Sequence, residues 1–144
     1  MTDSTSAEVE IAASAGKVMG VIADIAAYPQ WTAFKRAQVL ESHPDGRPAL
    51  VEFAFDMGAF KDEQVMSYTW QENTVASWQM VKSNLLDSLA GSYQLSESEG
   101  KKRVVYELTM KLNMPLISAT RRRAERMIID SALQGLKKRV ESLK

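Results

Sequence analysis

The two ends of this chain constrain its fold more than any other feature. Near the N-terminus an amphipathic stretch, residues 18–31, ends in a Tyr-Pro-Gln-Trp turn, and residues 115–144 read as one uninterrupted helix. The segment between them alternates apolar and polar residues as β-strands do. About 28 helical residues span roughly 40 Å, which is long enough to cross a whole sheet. The sequence therefore predicts an α+β fold in which a long helix covers a curved antiparallel sheet and encloses a cavity.

Length and composition limit the class of protein. The 144 residues fit a single domain spanning residues 1–144. The absence of cysteine excludes disulfides and thiolate metal sites. The first residues lack a basic start followed by an apolar run, so we expect no signal peptide. No apolar run is long enough to span a bilayer, and we expect a soluble cytoplasmic protein.

Residue periodicity predicts the order of the elements. A first strand over residues 7–12 is followed by a helix that Ser14 caps and that continues through Ala23. Asp24 is expected to cap a second short helix that Pro29 ends. Six further strands are predicted at about residues 35–42, 50–57, 63–72, 75–81, 89–95 and 104–114.

One face of every predicted strand is apolar and aromatic, as where Phe53 alternates with Glu52. This pattern is typical of an antiparallel sheet that is covered on one side and wet on the other. The fourth strand is the weak point, because Val65 and Met66 are both apolar and one β-bulge reverses side-chain direction. We expect Trp31 to be buried between its turn and the covered face of the sheet.

The apolar stripe of the C-terminal helix is expected to face the sheet. We assign to it Ile117, Ala124, Met127, Ile128, Ala132, Leu136, Val140 and Leu143. Small residues in the middle of the helix leave two alternatives open, a dry core beneath the helix or a ligand cavity with access near Phe60 and Leu116. The expected cavity lining is Phe53, Phe55, Tyr68, Trp70, Trp78, Tyr93, Tyr106, Leu108, Arg123, Ala124, Met127, Ile128 and Ser131.

The chemistry of these predicted inner faces favours binding over catalysis. They contain no aspartate, glutamate, histidine or lysine, so the sequence indicates no catalytic residue, no metal ligand and no cofactor. His43, the single histidine, lies in a Pro/Gly turn, and Asp62 and Glu63 read as solubilising acids of a hairpin. Tyrosine hydroxyls and indole N–H groups suit the orientation of a ligand in a mostly apolar cavity.

Charge is distributed unevenly along the chain. Residues 115–144 contain eight basic and three acidic residues, although the whole chain contains 18 of each. Such a helix is either a surface for an anionic membrane or nucleic acid or a solvated face with i,i+4 ion pairs. We favour the second interpretation and expect no nucleic-acid partner, while transient membrane contact and oligomeric state stay open. The expected pairs are Arg121–Glu125, Arg126–Asp130 and Lys137–Glu141.

Several segments carry a resemblance to a known superfamily. They are residues 17–24 with the turn from Tyr28 to Trp31, then Gly91 to Leu95 before Val104 to Leu108, and the closing Gly135 to Val140. In this order they resemble the helix-grip fold of the START-like (SRPBCC) superfamily. That superfamily includes polyketide cyclases and dehydrases, coenzyme Q-binding proteins and lipid-transfer domains. The chain is also similar to small actinobacterial members, some of which are labelled toxins of toxin–antitoxin pairs.

The resemblance implies both a fold and a set of functions. The fold has about seven strands, two short N-terminal helices and a long C-terminal helix around a cavity. The implied function is binding or carriage of a small hydrophobic ligand, such as a lipid, a polyketide or an isoprenoid-like molecule, without catalysis. The alternatives are a polyketide cyclase/dehydrase-like enzyme, which acts largely by positioning a reactive chain, and a toxin component that acts through its surface on a small protein partner.

Overall fold

The computed structural model describes residues 5–32, 34–57, 60–84, 86–112 and 118–143. Each predicted element is present within these ranges, with ends displaced by a few residues. In chain order the elements are β1 (Thr5–Ile11), α1 (Ala15–Ala23), a 3-10 helix (Ile25–Gln30), β2 (Phe34–Ser42), β3 (Pro48–Met57), β4 (Phe60–Gln71), β5 (Val75–Lys82), β6 (Leu86–Ser98), β7 (Lys101–Leu112) and α2 (Ser118–Ser142).

The seven strands form one antiparallel sheet in the order β1-β7-β6-β5-β4-β3-β2. From β2 to β7, strands that are consecutive in sequence pair with each other, and β1 pairs with β7. The two ends of the chain therefore meet at the same edge of the sheet, where α2 packs on β1, β7 and α1. The predicted α+β helix-grip architecture is confirmed.

Helix α1 begins as its capping residue predicts. The Ser14 hydroxyl accepts a hydrogen bond from the Lys17 amide at 3.1 Å, which satisfies one of the unpaired N–H groups of the first turn. The prediction for the following helix was wrong in two respects. The Asp24 side chain makes no capping bond, and Pro29 lies inside the 3-10 helix. The helix continues past the proline because the i+3 hydrogen bond to the Tyr28 carbonyl is donated by the Trp31 amide and does not need the proline nitrogen.

The predicted alternation is confirmed in β1 and in β3 to β7, but not in β2, where Val39 and Leu40 are both exposed. A bulge lies next to the Val65–Met66 segment that was expected to be the weak point. The pairing register of β4 and β5 shifts between Val65 and Met66. The extra residue belongs to β5 and is Val81, which is 59% exposed. The bulge therefore leaves the direction of the β4 side chains unchanged, and Met66 and Tyr68 both stay buried on the covered face.

The inner face of α2 agrees only in part with the predicted stripe: Leu136, Val140, Ile128 and Ala132 are confirmed, whereas Met127 and Leu143 are not. Its buried residues are Glu125, Ile129, Leu133, Leu136 and Val140, with Ile128 and Ala132 partly buried. Of the predicted stripe, Met127 is 54% and Leu143 38% exposed. The hydrophobic pattern missed part of this face because Glu125, a charged residue, occupies it.

A close backbone approach fixes the position of the Tyr-Pro-Gln-Trp turn against α2. A Cβ atom at Gly135 would lie 2.3 Å from the Trp31 carbonyl oxygen and 3.4 Å from its ring. Trp31 is half-buried and packs against the helix as well as against Tyr28, at a centroid distance of 4.9 Å. The expectation that Trp31 packs between the turn and the sheet was therefore wrong.

Substitution of Gly135 tests this contact. Alanine in a helix interior normally stabilises by about 1 kcal/mol relative to glycine. Here the added methyl group meets a backbone oxygen that cannot rotate away, so we expect Gly135→Ala to reduce the free energy of unfolding by about 1–3 kcal/mol. The measurement is urea unfolding followed by circular dichroism. Gly20→Ala in α1 is the matched control, because a Cβ atom at that position would have no neighbour within 4 Å. We expect the control to be neutral or stabilising, and equal stability of the two variants would contradict the close approach.

Candidate functional site

An aromatic cluster covers the middle of the sheet's inner face. Its rings are in mutual contact, with centroid distances from 4.8 Å for Tyr93–Tyr106 to 5.5 Å for Tyr68–Trp78. Four of the five members are at most 8% exposed, and Trp70 is half-buried. We call this the central cluster, and it consists of Tyr68, Trp70, Trp78, Tyr93 and Tyr106.

A glycine on β6 determines how the central cluster lies. Gly91 is the cross-strand partner of Trp78, and a Cβ atom at Gly91 would lie 2.6 Å from the indole ring. The missing side chain allows the indole to lie over the β6 backbone, where it contacts both Tyr93 and Tyr106 at 5.4 Å. The orientation of these rings thus depends on the sheet register.

A second aromatic cluster joins the N-terminal turn to the β2–β3 edge. Phe34 and Phe53 stack at 4.2 Å, and Tyr28 stacks on Phe53 at 5.7 Å. Phe53 and Phe55 were predicted to line the cavity, whereas Tyr28 and Phe34 were not. The Tyr-Pro-Gln-Trp turn could have identified Tyr28, because this tyrosine lies on the buried side of the 3-10 helix.

All four tyrosines of the chain are buried around this interior. Burial raises the pKa of each phenol above its usual range, because it disfavours the charged form. Electrostatic repulsion from neighbouring phenols raises the pKa of Tyr28, Tyr68 and Tyr93 further. Three of these phenols, those of Tyr68, Tyr93 and Tyr106, belong to the central cluster.

The hydrogen bonding of these hydroxyls is unequal. The Tyr28 hydroxyl donates to the Ile22 carbonyl and also interacts with the Tyr68 hydroxyl. Within the described part of the chain, the hydroxyls of Tyr93 and Tyr106 have no hydrogen-bond partner. Among the described residues, the fully buried side-chain polar atom without a partner is Trp31 Nε1, so the two tyrosine oxygens are not completely enclosed by protein atoms. These two groups can therefore bind an oxygen or nitrogen atom of a ligand.

The expectation that the inner faces lack acidic residues was wrong at Glu125. This residue of α2 is 1% exposed. One carboxylate oxygen accepts from the Thr5 hydroxyl at 2.8 Å and the other from the Met110 amide at 3.2 Å. Both oxygens are engaged, so Glu125 links α2 to β1 and β7 and is not a free base.

The expectation for Asp62 was also wrong. It lies on the inner face of β4 and is 5% exposed, rather than solubilising a hairpin. Its carboxylate accepts from the Ser83 hydroxyl, from the Asn84 amide at 2.9 Å and from the Gln64 side-chain amide at 3.0 Å. These bonds tie the β5–β6 connection to β4, and they occupy both carboxylate oxygens.

The predicted cavity-lining residues separate into three groups in the structure. The first group lies on the inner face of the sheet, is buried or half-buried, and consists of Phe53, Phe55, Tyr68, Trp70, Trp78, Tyr93, Tyr106 and Leu108. Ile128 on α2 is half-buried as well. Arg123, Met127 and Ser131 are exposed on the outer side of α2, so their assignment to the cavity was wrong. The side chain of Ala124 lies outside the described part of the chain, as do Leu116 and the side chain of Phe60 at the expected access point.

The turn between β2 and β3 supports one end of the central cluster. The Trp70 indole N–H donates to the Pro48 carbonyl at 2.7 Å, and the Arg47 guanidinium lies 5.5 Å from the centre of the Trp70 ring. His43 Nε2 lies 2.8 Å from the Tyr68 carbonyl oxygen. The single histidine therefore helps to attach this turn to β4.

The described residues offer neither a metal site nor a membrane-spanning helix. Among them, no group of three or more histidine, aspartate or glutamate side chains is arranged to hold a metal ion. None of the helices in the described ranges is long and apolar enough to cross a membrane. A half-open groove of about 230 Å³ lies outside the sheet interior, between α1, the 3-10 helix and the end of α2, and is lined in part by Trp31 and Arg139.

Comparison with solved structures places the fold among known proteins. A START superfamily protein from Mycobacterium smegmatis superposes with a TM-score of 0.90 at 19% identity, covering 98% of this chain and 99% of that one. An aromatase/cyclase from Streptomyces sp. R1128 gives 0.80 at 13% identity, with 98% and 94% coverage. A protein from Thermus thermophilus gives 0.80 at 18% identity, with 97% and 98% coverage.

The sequence was also compared with curated proteins and with models of protein families. No curated protein matches the chain. A family model described as polyketide cyclase/dehydrase and lipid transport matches residues 2–141, nearly the whole sequence. The chain therefore belongs to the polyketide cyclase/dehydrase and lipid transport family.

Proposed function

We propose that this protein binds a small, mostly apolar ligand carrying at least one carbonyl or hydroxyl oxygen, on the inner face of the sheet beneath α2. The observation that carries the proposal is the pair of hydroxyls on the buried residues Tyr93 and Tyr106, which have no partner among the described residues. A ligand oxygen placed between them accepts from one and donates to, or accepts from, the other.

The surroundings of the hydroxyl pair support an apolar ligand. Tyr93 and Tyr106 are bordered by the Trp78 ring and by Leu108, which is 1% exposed. The covering helix packs on β1 and β7, at one edge of the sheet. The central strands carry aromatic side chains on this face, and a site of this composition favours apolar ligands.

The arrangement of the acidic groups favours binding over catalysis. The two inner-face carboxylates, Glu125 and Asp62, have both oxygens occupied by hydrogen bonds that hold the fold together. A polyketide cyclase/dehydrase-like activity is the second candidate, because a tyrosine hydroxyl that donates to a ligand carbonyl also polarises it. Liquid chromatography with mass spectrometry of the recovered ligand separates the two. If the protein is a carrier, the molecule recovered from it is the one that was supplied. If it is a cyclase or dehydrase, the recovered molecule is a different product.

Three tyrosine-to-phenylalanine variants test the role of the hydroxyls in stability. Tyr28→Phe removes a hydroxyl that is bonded to the Ile22 carbonyl, and we expect a loss of about 1 kcal/mol in the free energy of unfolding. Tyr93→Phe and Tyr106→Phe remove hydroxyls without protein partners, and we expect changes within about 0.5 kcal/mol. Chemical unfolding measures all three. A loss at Tyr93 or Tyr106 as large as that at Tyr28 would mean that these hydroxyls serve the fold.

The same variants test binding with a matched pair of probes. Naphthol carries one hydroxyl, whereas naphthalene has the same rings without it, and quenching of tryptophan fluorescence reports their binding. We expect Tyr106→Phe or Tyr93→Phe to weaken naphthol binding about fivefold, the value of one hydrogen bond, and to leave naphthalene binding unchanged. The proposal fails if neither probe binds the wild type, or if both variants bind naphthol as tightly as the wild type does.

Alkaline titration tests whether the four phenols share one buried environment. The pKa of each tyrosine is raised in the folded state, whereas an unfolded tyrosine titrates near pH 10. Above about pH 10 the unfolded chain therefore loses protons that the folded chain keeps. The stability that is fully present below this pH falls by up to roughly 1.4 kcal/mol per pH unit for each tyrosine. We expect the tyrosinate absorbance to rise only together with unfolding seen by circular dichroism. A tyrosine that ionises near pH 10 in the folded protein would contradict the account.

A further inference from the structure

One glutamine on the inner face of the sheet carries a polar atom that the fold does not use. Gln64 lies on β4 between Asp62 and Met66, and it is 8% exposed. We propose that the Gln64 carbonyl oxygen accepts a hydrogen bond from an O–H or N–H group of the ligand. The ligand is then an elongated apolar molecule with an oxygen at the tyrosine end and a hydrogen-bond donor at the other. This inference rests on the proposed function, because it adds a second polar contact in the same interior.

A hydrogen bond to Asp62 fixes the orientation of the Gln64 amide. Gln64 Nε2 donates to Asp62 Oδ2 at 3.0 Å. The Asp62 carboxylate also accepts from the Ser83 hydroxyl and from the Asn84 amide, so it acts only as an acceptor. The NH₂ group of Gln64 therefore faces Asp62, and the carbonyl oxygen of Gln64 faces the other way.

The Gln64 carbonyl oxygen is available to a ligand. Within the described part of the chain it has no hydrogen-bond partner. It is also not sealed off by protein atoms, since the fully enclosed side-chain atom without a partner among the described residues is Trp31 Nε1. A carbonyl oxygen only accepts hydrogen bonds, so the ligand group that reaches it must carry an O–H or an N–H.

Gln64 faces the same interior as the tyrosines. Its cross-strand neighbour is Phe53, which is 2% exposed and stacks on Tyr28 at 5.7 Å. The Tyr28 hydroxyl in turn interacts with the Tyr68 hydroxyl, which belongs to the central cluster. Buried side chains therefore form a continuous series of contacts from Gln64 to the central cluster.

The register of the sheet sets the separation between the two polar ends. On β4, Trp70 lies six positions beyond Gln64. Pairing through β5 and β6 places Trp70 in one row with Tyr93 and Tyr106. Six residues of a strand rise about 20 Å, and side chains that lean toward each other close only part of this gap. A ligand that contacts both ends is therefore a chain or a rod rather than a single small ring.

Two ketones that differ by one hydroxyl test the proposal. Methyl decyl ketone offers only an acceptor, which suits the tyrosine hydroxyls, whereas its ω-hydroxy derivative also carries a donor at the far end of the chain. Competition with naphthol, followed by tryptophan fluorescence, measures the dissociation constant of each ketone. We expect Gln64→Met to weaken binding of the hydroxyketone about fivefold and to leave binding of the plain ketone unchanged. Tyr93→Phe/Tyr106→Phe should weaken both ketones, because they share the acceptor.

Gln94→Met is the matched control. The Gln94 side-chain amide also donates to the residue two positions earlier, to the Ser92 hydroxyl at 3.1 Å, but Gln94 is exposed. We expect this variant to bind both ketones as the wild type does. Circular dichroism shows whether each variant is folded. If Gln64→Met does not fold, nuclear magnetic resonance of the wild type replaces it: the resonance of the Gln64 side-chain carbonyl carbon should shift with the hydroxyketone and not with the plain ketone.

The outcomes separate this contact from the proposed function. The Gln64 contact is wrong if Gln64→Met binds the hydroxyketone as tightly as the wild type does, if it weakens both ketones equally, or if both shift the carbonyl resonance equally. The elongated ligand is wrong if naphthol binds but neither ketone displaces it. In each of these cases the binding of an apolar ligand at the tyrosines still stands. If naphthol itself does not bind, the proposed function fails, and the Gln64 contact fails with it.

Discussion

The carboxylate of Glu125 is the constraint on which the arrangement of the C-terminal helix depends. It is buried at 1% exposure and accepts one hydrogen bond from β1 and one from β7. On β7, Leu108 is the partner of Thr5, and Met110 lies two residues further along the strand. The carboxylate therefore supplies an acceptor to the Met110 amide at the sheet edge. Removing a buried acceptor of this kind leaves two donors unpaired, which is more costly than the net gain from making the bonds.

This one orientation determines both faces of α2. With Glu125 inward, Ile129, Leu133 and Leu136 follow on the same side and bury completely or nearly so. The same orientation turns Arg123 and Met127 outward. The buried acid and the apolar residues that pack on the sheet thus share one face of the helix. The contact between Gly135 and Trp31 then fixes the helix against the N-terminal turn, next to the tyrosine of the second aromatic cluster.

Sequence patterns predicted the sheet better than the helix, for a physical reason. Strand alternation has a period of two, so a single glutamate or serine rarely obscures which side is apolar. The bulge at Val81 lies in β5 and left the β4 side chains correctly assigned. Ser14 was predicted as a cap because its role is local. Glu125 and Asp62 were missed because a buried acid is recognised only by its long-range donors, Thr5 and Asn84 among them. Tyr28 could have been found from the Tyr-Pro-Gln-Trp turn, whereas Phe34 joined the site through packing that no local pattern encodes.

The central claim is that the hydroxyls of Tyr93 and Tyr106 serve a ligand rather than the fold. Membership of the family supports a bound small molecule without naming it, since one fold carries many functions. The most direct test is a high-resolution crystal structure of the protein soaked with naphthol. The account predicts naphthol density against the central cluster, with its oxygen within hydrogen-bonding distance of Tyr93 or Tyr106. An interior filled by interlocked side chains, with both hydroxyls bonded to protein atoms and no naphthol present, would contradict it.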